Sequence, residues 1–174
     1  MRGKDRSLKG KRTARGFTLI EAIIVTVIVA ILTAIAIPLF ASYREKAQIA
    51  VAITAIRVIE QTVTSHFIGK GDYPDSLADV GLGTMQDPWG LPYRYFKIFG
   101  KGHKATGGAR KDRFMVPINT DFDLYSVGPD GVSAAPLTAK SSQDDIIRAN
   151  DGGYVGTAAG ITFYATTNIS VSAL

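Results

Sequence analysis

Twenty consecutive residues without a charge, Ala22 to Ala41, constrain this chain more than any other feature. At about 1.5 Å of rise per residue such a run makes a helix of roughly 30 Å, the thickness of the hydrocarbon core of a bilayer. Ten of the residues from Phe17 to Phe40 are Ile or Val, and Ala and Thr supply the small surfaces. Such a helix has no polar stripe and suits surroundings that are apolar on every side, lipid or sister helices. Before it stand Arg2, Lys4, Arg6, Lys9, Lys11, Arg12 and Arg15 against the single Asp5. Basic flanks stay in the cytoplasm, so the expected topology is a single pass with the N-terminus inside and everything after Phe40 outside.

That basic block also sets the charge balance. The chain has 20 basic and 15 acidic residues, net +5, and a pI near 9.5. Residues 1–16 hold seven of the basic and one of the acidic residues, which leaves 13 against 14, net −1, for the rest. The high pI therefore orients a membrane segment and gives no reason to expect nucleic acid as a partner.

Glu21 stands at the start of the apolar run, where a carboxylate costs a few kcal/mol unless it finds a partner or reaches the interface. A secretory signal peptide would account for the basic block, with Ala34-Ile35-Ala36 as a cleavage site, but the run is longer than a typical apolar signal core and Glu21 interrupts its start. A plain anchor would leave Glu21 near the interface. The third reading rests on Gly16-Phe17-Thr18-Leu19-Ile20-Glu21 with Pro38 far along the helix, which resembles the prepilin signature of type IV pilins and type II secretion pseudopilins. The resemblance implies cleavage by a prepilin peptidase between Gly16 and Phe17 and N-methylation of Phe17. An α-amino group there, with a reference pKa near 8, would be a cation for Glu21. The pair could form within one subunit, one helical turn apart, or between neighbours in a filament, where it would set the axial register.

Past the membrane the pattern changes. Pro38 cannot donate to the carbonyl of Ala34 and is expected to bend the helix, which then goes on. Ile49, Ile53, Ile56, Ile59, Val63 and Phe67 recur at spacings of three and four, the mark of an amphipathic half, and Gly69 and Gly71 supply the stop near Ile68. The organisation expected is a leader over residues 1–16, a transmembrane and assembly half over 17–40, an amphipathic half over 41–68, and a globular head over 69–174. In the head, Asp87-Pro88-Trp89-Gly90 is a turn signal, Leu91 to Phe99 reads as one strand and Phe122 to Val127 as another. Phe114-Met115-Val116 is a further candidate, Ile161 to Val171 an edge strand, and Lys101 to Arg113 a mobile Gly- and Lys-rich loop. The fold class is α+β, a long helix packed on a small antiparallel sheet.

Asp87-Pro88-Trp89-Gly90, Tyr93-Arg94-Tyr95, the stretch Leu124 to Gly131 and Asp144-Asp145-Ile146 together resemble the head of the major pseudopilin of type II secretion. That resemblance implies calcium, held by Asp130 and one or both of Asp144 and Asp145 with backbone carbonyls. Calcium takes six to eight oxygens from flexible loops, and a chain without cysteine has no disulfide to close this one. The alternative is that Asp130 is a turn residue and Asp144 or Asp145 a helix cap.

Catalysis has little to stand on. His66 and His103 are read as solvated, and there is no metalloprotease, nucleophile-elbow or phosphate-cradling motif, so the chain is not expected to be an enzyme. The function expected from the resemblance is a structural subunit of a pseudopilus or type IV pilus-like filament. It would polymerise through its N-terminal helix and support protein secretion across the outer membrane. Its implied partners are copies of itself, other pseudopilins, an inner-membrane assembly platform, the prepilin peptidase and membrane lipid. Its place is the bacterial inner membrane, with a periplasmic head. The alternatives are the pilin of a surface pilus, or a membrane-anchored binding module that never polymerises.

Overall fold

The computed structural model describes residues 16–100, 107–113 and 115–161. They fall into two compact units, Met1–Ser42 and Tyr43–Leu174. Helix α1 covers Leu19–Lys70 and continues through Pro38, within two residues of the expected span at each end. Gly71 stops it: its φ is +76°, and its N–H donates to the carbonyl of Phe67 at 2.7 Å, a left-handed C-terminal cap that glycine adopts without strain.

The second unit builds its core on the amphipathic half of α1. Ala52, Ile56, Ile59 and Val63 are fully buried against Tyr93, Phe122, Leu124 and Ile146, with Ile49 and Ile53 packed at the margin. Phe67 completes the stripe by stacking on Tyr73 at 4.3 Å between ring centroids. Each fully buried Ile or Val stabilises the fold by about 1.5–3 kcal/mol through removal from water. This stripe is the one expected from the spacing.

The sheet has four antiparallel strands in sequence order, β1 (Arg94–Lys97), β2 (Phe122–Ser126), β3 (Ile146–Ala149) and β4 (Tyr154–Thr157). Arg94 faces Tyr125 across β1 and β2, Ser126 faces Ile146 across β2 and β3, and Ala149 faces Tyr154 across β3 and β4. Alternation along β3 sends Ile146 to the core on α1. Ile147 and Ala149 go to a second cluster with Ile118, Leu137, Ala158 and Ile161.

Both expected strands are present but shorter, at Arg94–Lys97 and Phe122–Ser126. Strands β3 and β4 were not foreseen, and β4 takes the edge that Ile161 to Val171 was expected to form. Ile161 itself lies buried in a helical turn after β4, and residues 162–171 lie outside the described residues. Met115 and Val116 join no strand: the Met115 carbonyl accepts from Asp112 N–H at 2.9 Å, and Val116 is exposed. Phe114 and residues 101–106 lie outside the described residues. Ala109, Arg110 and Asp112, placed by the sequence reading in a mobile loop, are buried.

Candidate functional site

Two places hold the residues singled out from sequence. The first is the start of α1. Thr18 is its N-cap: its carbonyl accepts the first helical bond from Ala22 N–H at 3.2 Å, and its hydroxyl accepts from Glu21 N–H at 3.3 Å. Glu21 reaches back with Oε2 to Thr18 N–H at 3.5 Å and to the Thr18 hydroxyl at 3.4 Å. This reciprocal pair is a capping box, Thr at the cap and Glu three residues on, which satisfies donors that a helix start leaves orphaned. Glu21 thus has local partners within one subunit, a role the sequence reading missed although the Thr-x-x-Glu spacing signals it. A side chain at Gly16 would meet no atom within 4 Å, so no packing among the described residues explains that glycine. Phe17 is 76% exposed.

From Gly16 to Ala47 every residue is exposed, including Ile23, Val25, Val29, Leu32, Ile35 and Ile37. These side chains point in all directions around the helix, so the apolar surface is not one-sided. The helix is long and apolar enough to cross a membrane, and the buried cores contain none of these residues.

The second place is the head. Asp87 is buried and holds the Asp87-Pro88-Trp89-Gly90 turn: its Oδ1 accepts from Trp89 N–H at 3.0 Å and Leu91 N–H at 2.8 Å, and its Oδ2 accepts from the Ser126 hydroxyl. Arg148, in the middle of β3 and 2% exposed, faces α1. Its Nε donates to Glu60 Oε1 at 2.8 Å, its Nη1 and Nη2 donate to Asp121 at 2.8 and 2.6 Å, and its guanidinium lies 4.1 Å from the Phe122 ring centroid. Arg57 closes the network on Glu60 Oε2 at 2.9 Å and on the carbonyl of Gly152 at 2.7 Å. The turn from β3 to β4 is seated by Asp151, which accepts from the Thr120 amide and hydroxyl, both at 2.7 Å. Burial pushes the Asp151 carboxyl up, but the two Thr120 bonds, with Asp121 and the Arg148 charge beside them, together hold the group below the usual carboxylate range.

The three aspartates named for calcium do not come together as one donor set. Asp130 is exposed and uses Oδ1 to accept from Val132 N–H at 2.8 Å, as a turn residue does. Asp144 is half-buried and receives Asp130 N–H at 3.4 Å. Asp145 is fully buried and its Oδ2 is paired with the Arg110 guanidinium and with the Ser133 hydroxyl at 2.6 Å. Burial pushes the Asp145 carboxyl up, opposed by Ser133 and Arg110. Among the described residues no group of three or more His, Cys, Asp or Glu is placed to hold a metal ion, and Asp145 Oδ2 is already held by Arg110.

A groove of about 880 Å³ is lined by Glu60, Asp121, Arg148 and Asp151 among others, and each of these carboxylates already has a donor. His66 is half-buried, not solvated, and its Nδ1 has no partner among the described residues. His103 lies outside them.

The family described as the prokaryotic N-terminal methylation motif matches residues 11–37. The type II secretion system core protein G of Pseudomonas aeruginosa is 30% identical over 142 residues, covering 70% of this chain and 87% of that protein. Core protein G of Vibrio cholerae is 28% identical over 146 residues, 71% of this chain and 86% of that protein. A fimbrial protein of Neisseria meningitidis is 36% identical over 73 residues, 42% of this chain and 43% of that protein, so the chain spans less than half the length of the fimbrial relatives it matches. No solved structure gives a significant match. The N-terminal motif, the capped apolar helix, the four-stranded head and a similarity that runs through both put this chain in one family: it belongs with the type II secretion system core protein G, among the pilin-like proteins that carry the methylation motif.

Proposed function

We propose that this chain is a structural, non-enzymatic subunit of a pseudopilus-type filament, polymerising through α1 to support protein secretion across the outer membrane. The observation that carries the reading is α1 before Gln48, a wholly exposed apolar helix with a capped start that the core of the head does not use. Apolar surface of this extent has to be covered, by lipid before assembly and by sister helices after it. A prepilin peptidase cuts between Gly16 and Phe17, which accounts for a glycine that packing does not require, and Phe17 is then N-methylated. The subunit waits in the inner membrane with its head in the periplasm, and an assembly platform adds it to copies of itself and to other pseudopilins. Glu21 exchanges its bond to Thr18 for the charged amine of a neighbour's Phe17, which fixes the axial register.

The test is Glu21→Ala, with Glu21→Val beside it, expressed as the sole copy of the gene. Removing a charge whose cost in the bilayer is a few kcal/mol leaves membrane insertion as good or better, while recovery in filaments is lost. Assembly at the parent level would refute the pairing. Similarity to the Neisseria fimbrial protein supports a second reading, a surface pilus, and filaments found outside the cell with secretion intact in a deletion strain would favour it.

A further inference from the structure

The segment from Val127 to Asp145 joins β2 to β3 with no cysteine to staple it, and a connection this long in a compact head is usually tied down. What ties it is an arginine from the preceding β1–β2 connection. Arg110 is 2% exposed, and its backbone is fixed first: its N–H donates to Asp123 Oδ2 at 2.6 Å and its carbonyl accepts from Ile118 N–H at 3.0 Å. The guanidinium then reaches into the loop. Its Nη1 donates to the Ala134 carbonyl at 2.8 Å and to the Ser133 hydroxyl, its Nη2 donates to Asp145 Oδ2, and its other side lies 4.3 Å from the Tyr125 ring centroid.

A carbonyl, a hydroxyl and a carboxylate converging on one point are the oxygens a hard dication would take, and here a fixed cation already holds them. Two buried atoms lack partners among the described residues, Arg110 Nε and Asp145 Oδ1. They are the complementary donor and acceptor of a guanidinium–carboxylate fork, so even what is unsatisfied at the site belongs to this pair. A dication on Asp145 would have to share a buried carboxylate with a positive charge in hydrogen-bond contact with it, where repulsion is poorly screened.

We infer that Arg110 is the built-in cation that closes the β2–β3 loop of this head, in the position for which the resemblance implied calcium. The loop is therefore set by the chain itself and not by the calcium concentration outside the inner membrane. This inference stands independently of the filament reading, since it concerns the head alone.

The test uses the full chain in detergent micelles, the parent beside Arg110→Gln and Arg110→Lys, melted in chelator and in millimolar calcium with hydrogen exchange read at Leu137. The Leu137 amide donates to the Lys111 carbonyl at 2.9 Å and so reports on the seam that Arg110 closes. The parent is expected to melt within about 1 °C in the two conditions, because a ligand that does not bind the folded state shifts nothing. Both variants are expected to melt lower by about 3–8 °C, and the Leu137 amide to lose its protection at temperatures where the amides of β2 keep theirs. Lysine fails with glutamine because a single ammonium cannot span the loop oxygens as the planar fork does. A parent that melts several degrees higher in calcium would overturn the inference, and so would Arg110→Gln with unchanged melting and unchanged exchange at Leu137.

Discussion

Replacing Gly152 by Ala tests how the β3–β4 turn is seated on α1. Gly152 has φ +89°, and a Cβ built there would lie 1.9 Å from Glu60 Oε1, 3.1 Å from Glu60 Cδ and 3.4 Å from Arg148 Nη2. The left-handed backbone alone costs an L-residue about 1–2 kcal/mol. The clash falls on the far end of a flexible side chain, so bulk by itself is cheap to relieve. The loss comes from what that carboxylate holds, since Glu60 cannot move away without giving up Arg148 at 2.8 Å. A hydrogen bond between charged groups contributes about 1.5–3 kcal/mol, and the two effects together come to about 2.5–5 kcal/mol. That is a large share of the 5–15 kcal/mol typical of a domain. The assay is urea unfolding of the fragment Tyr43–Leu174, which keeps every buried residue of the core, followed by the fluorescence of Trp89. In a Glu60→Ala background the clash and the ion pair are both gone, so Gly152→Ala should then cost only the backbone term, about 1–2 kcal/mol. Equal costs with and without Glu60, or a cost within about 0.5 kcal/mol of zero in the parent, would refute the reasoning.

Two further outcomes follow from the head. Ile59→Ala, at a fully buried position on the α1 stripe, should destabilise the same fragment by about 2–5 kcal/mol, whereas Val58→Ala, on the exposed face, should stay within about 0.5 kcal/mol. Asp151 is held below the usual carboxylate range in the folded state, so its contribution is present above the ordinary carboxylate pKa of about 3.9 and lost as the pH falls through the lower, folded value. Urea midpoints of parent and Asp151→Asn should therefore differ at neutral pH and converge below about pH 4; a constant gap down to pH 2 would contradict the Thr120 bonding.

The long-helix face was readable because its signal is local. Ile56, Ile59 and Val63 advertise one face within two turns, and the same face is buried. Strands β3 and β4 were not readable in that way. Ile146-Ile147-Arg148-Ala149 puts a guanidinium at the centre of a buried strand, which makes sense only with Glu60 and Asp121 beside it, residues 88 and 27 positions away. The partner of Asp145 was hidden for the same physical reason. Asp145 looked like one of a pair of free carboxylates, and its partner Arg110 lies 35 residues upstream, in a stretch whose Gly and Lys content suggested solvent. At the N-terminus the order is reversed. Glu21 was legible as a charge needing a partner, and its role in capping α1 is written in the three-residue spacing to Thr18.

The measurement that tests the filament account most directly is the N-terminal residue and intact mass of the protein isolated from membranes and from filaments. Only cleavage after Gly16 turns Phe17 into an amine that can meet Glu21, and methylation of that amine leaves its charge in place. The account requires a chain beginning at Phe17, heavier than the bare sequence from Phe17 by one CH2, the net gain when a methyl group replaces a hydrogen. A chain that still carries Met1, or one that begins at Ile37 after the Ala34-Ile35-Ala36 stretch, would contradict it and leave a plain anchor or a secreted head in its place.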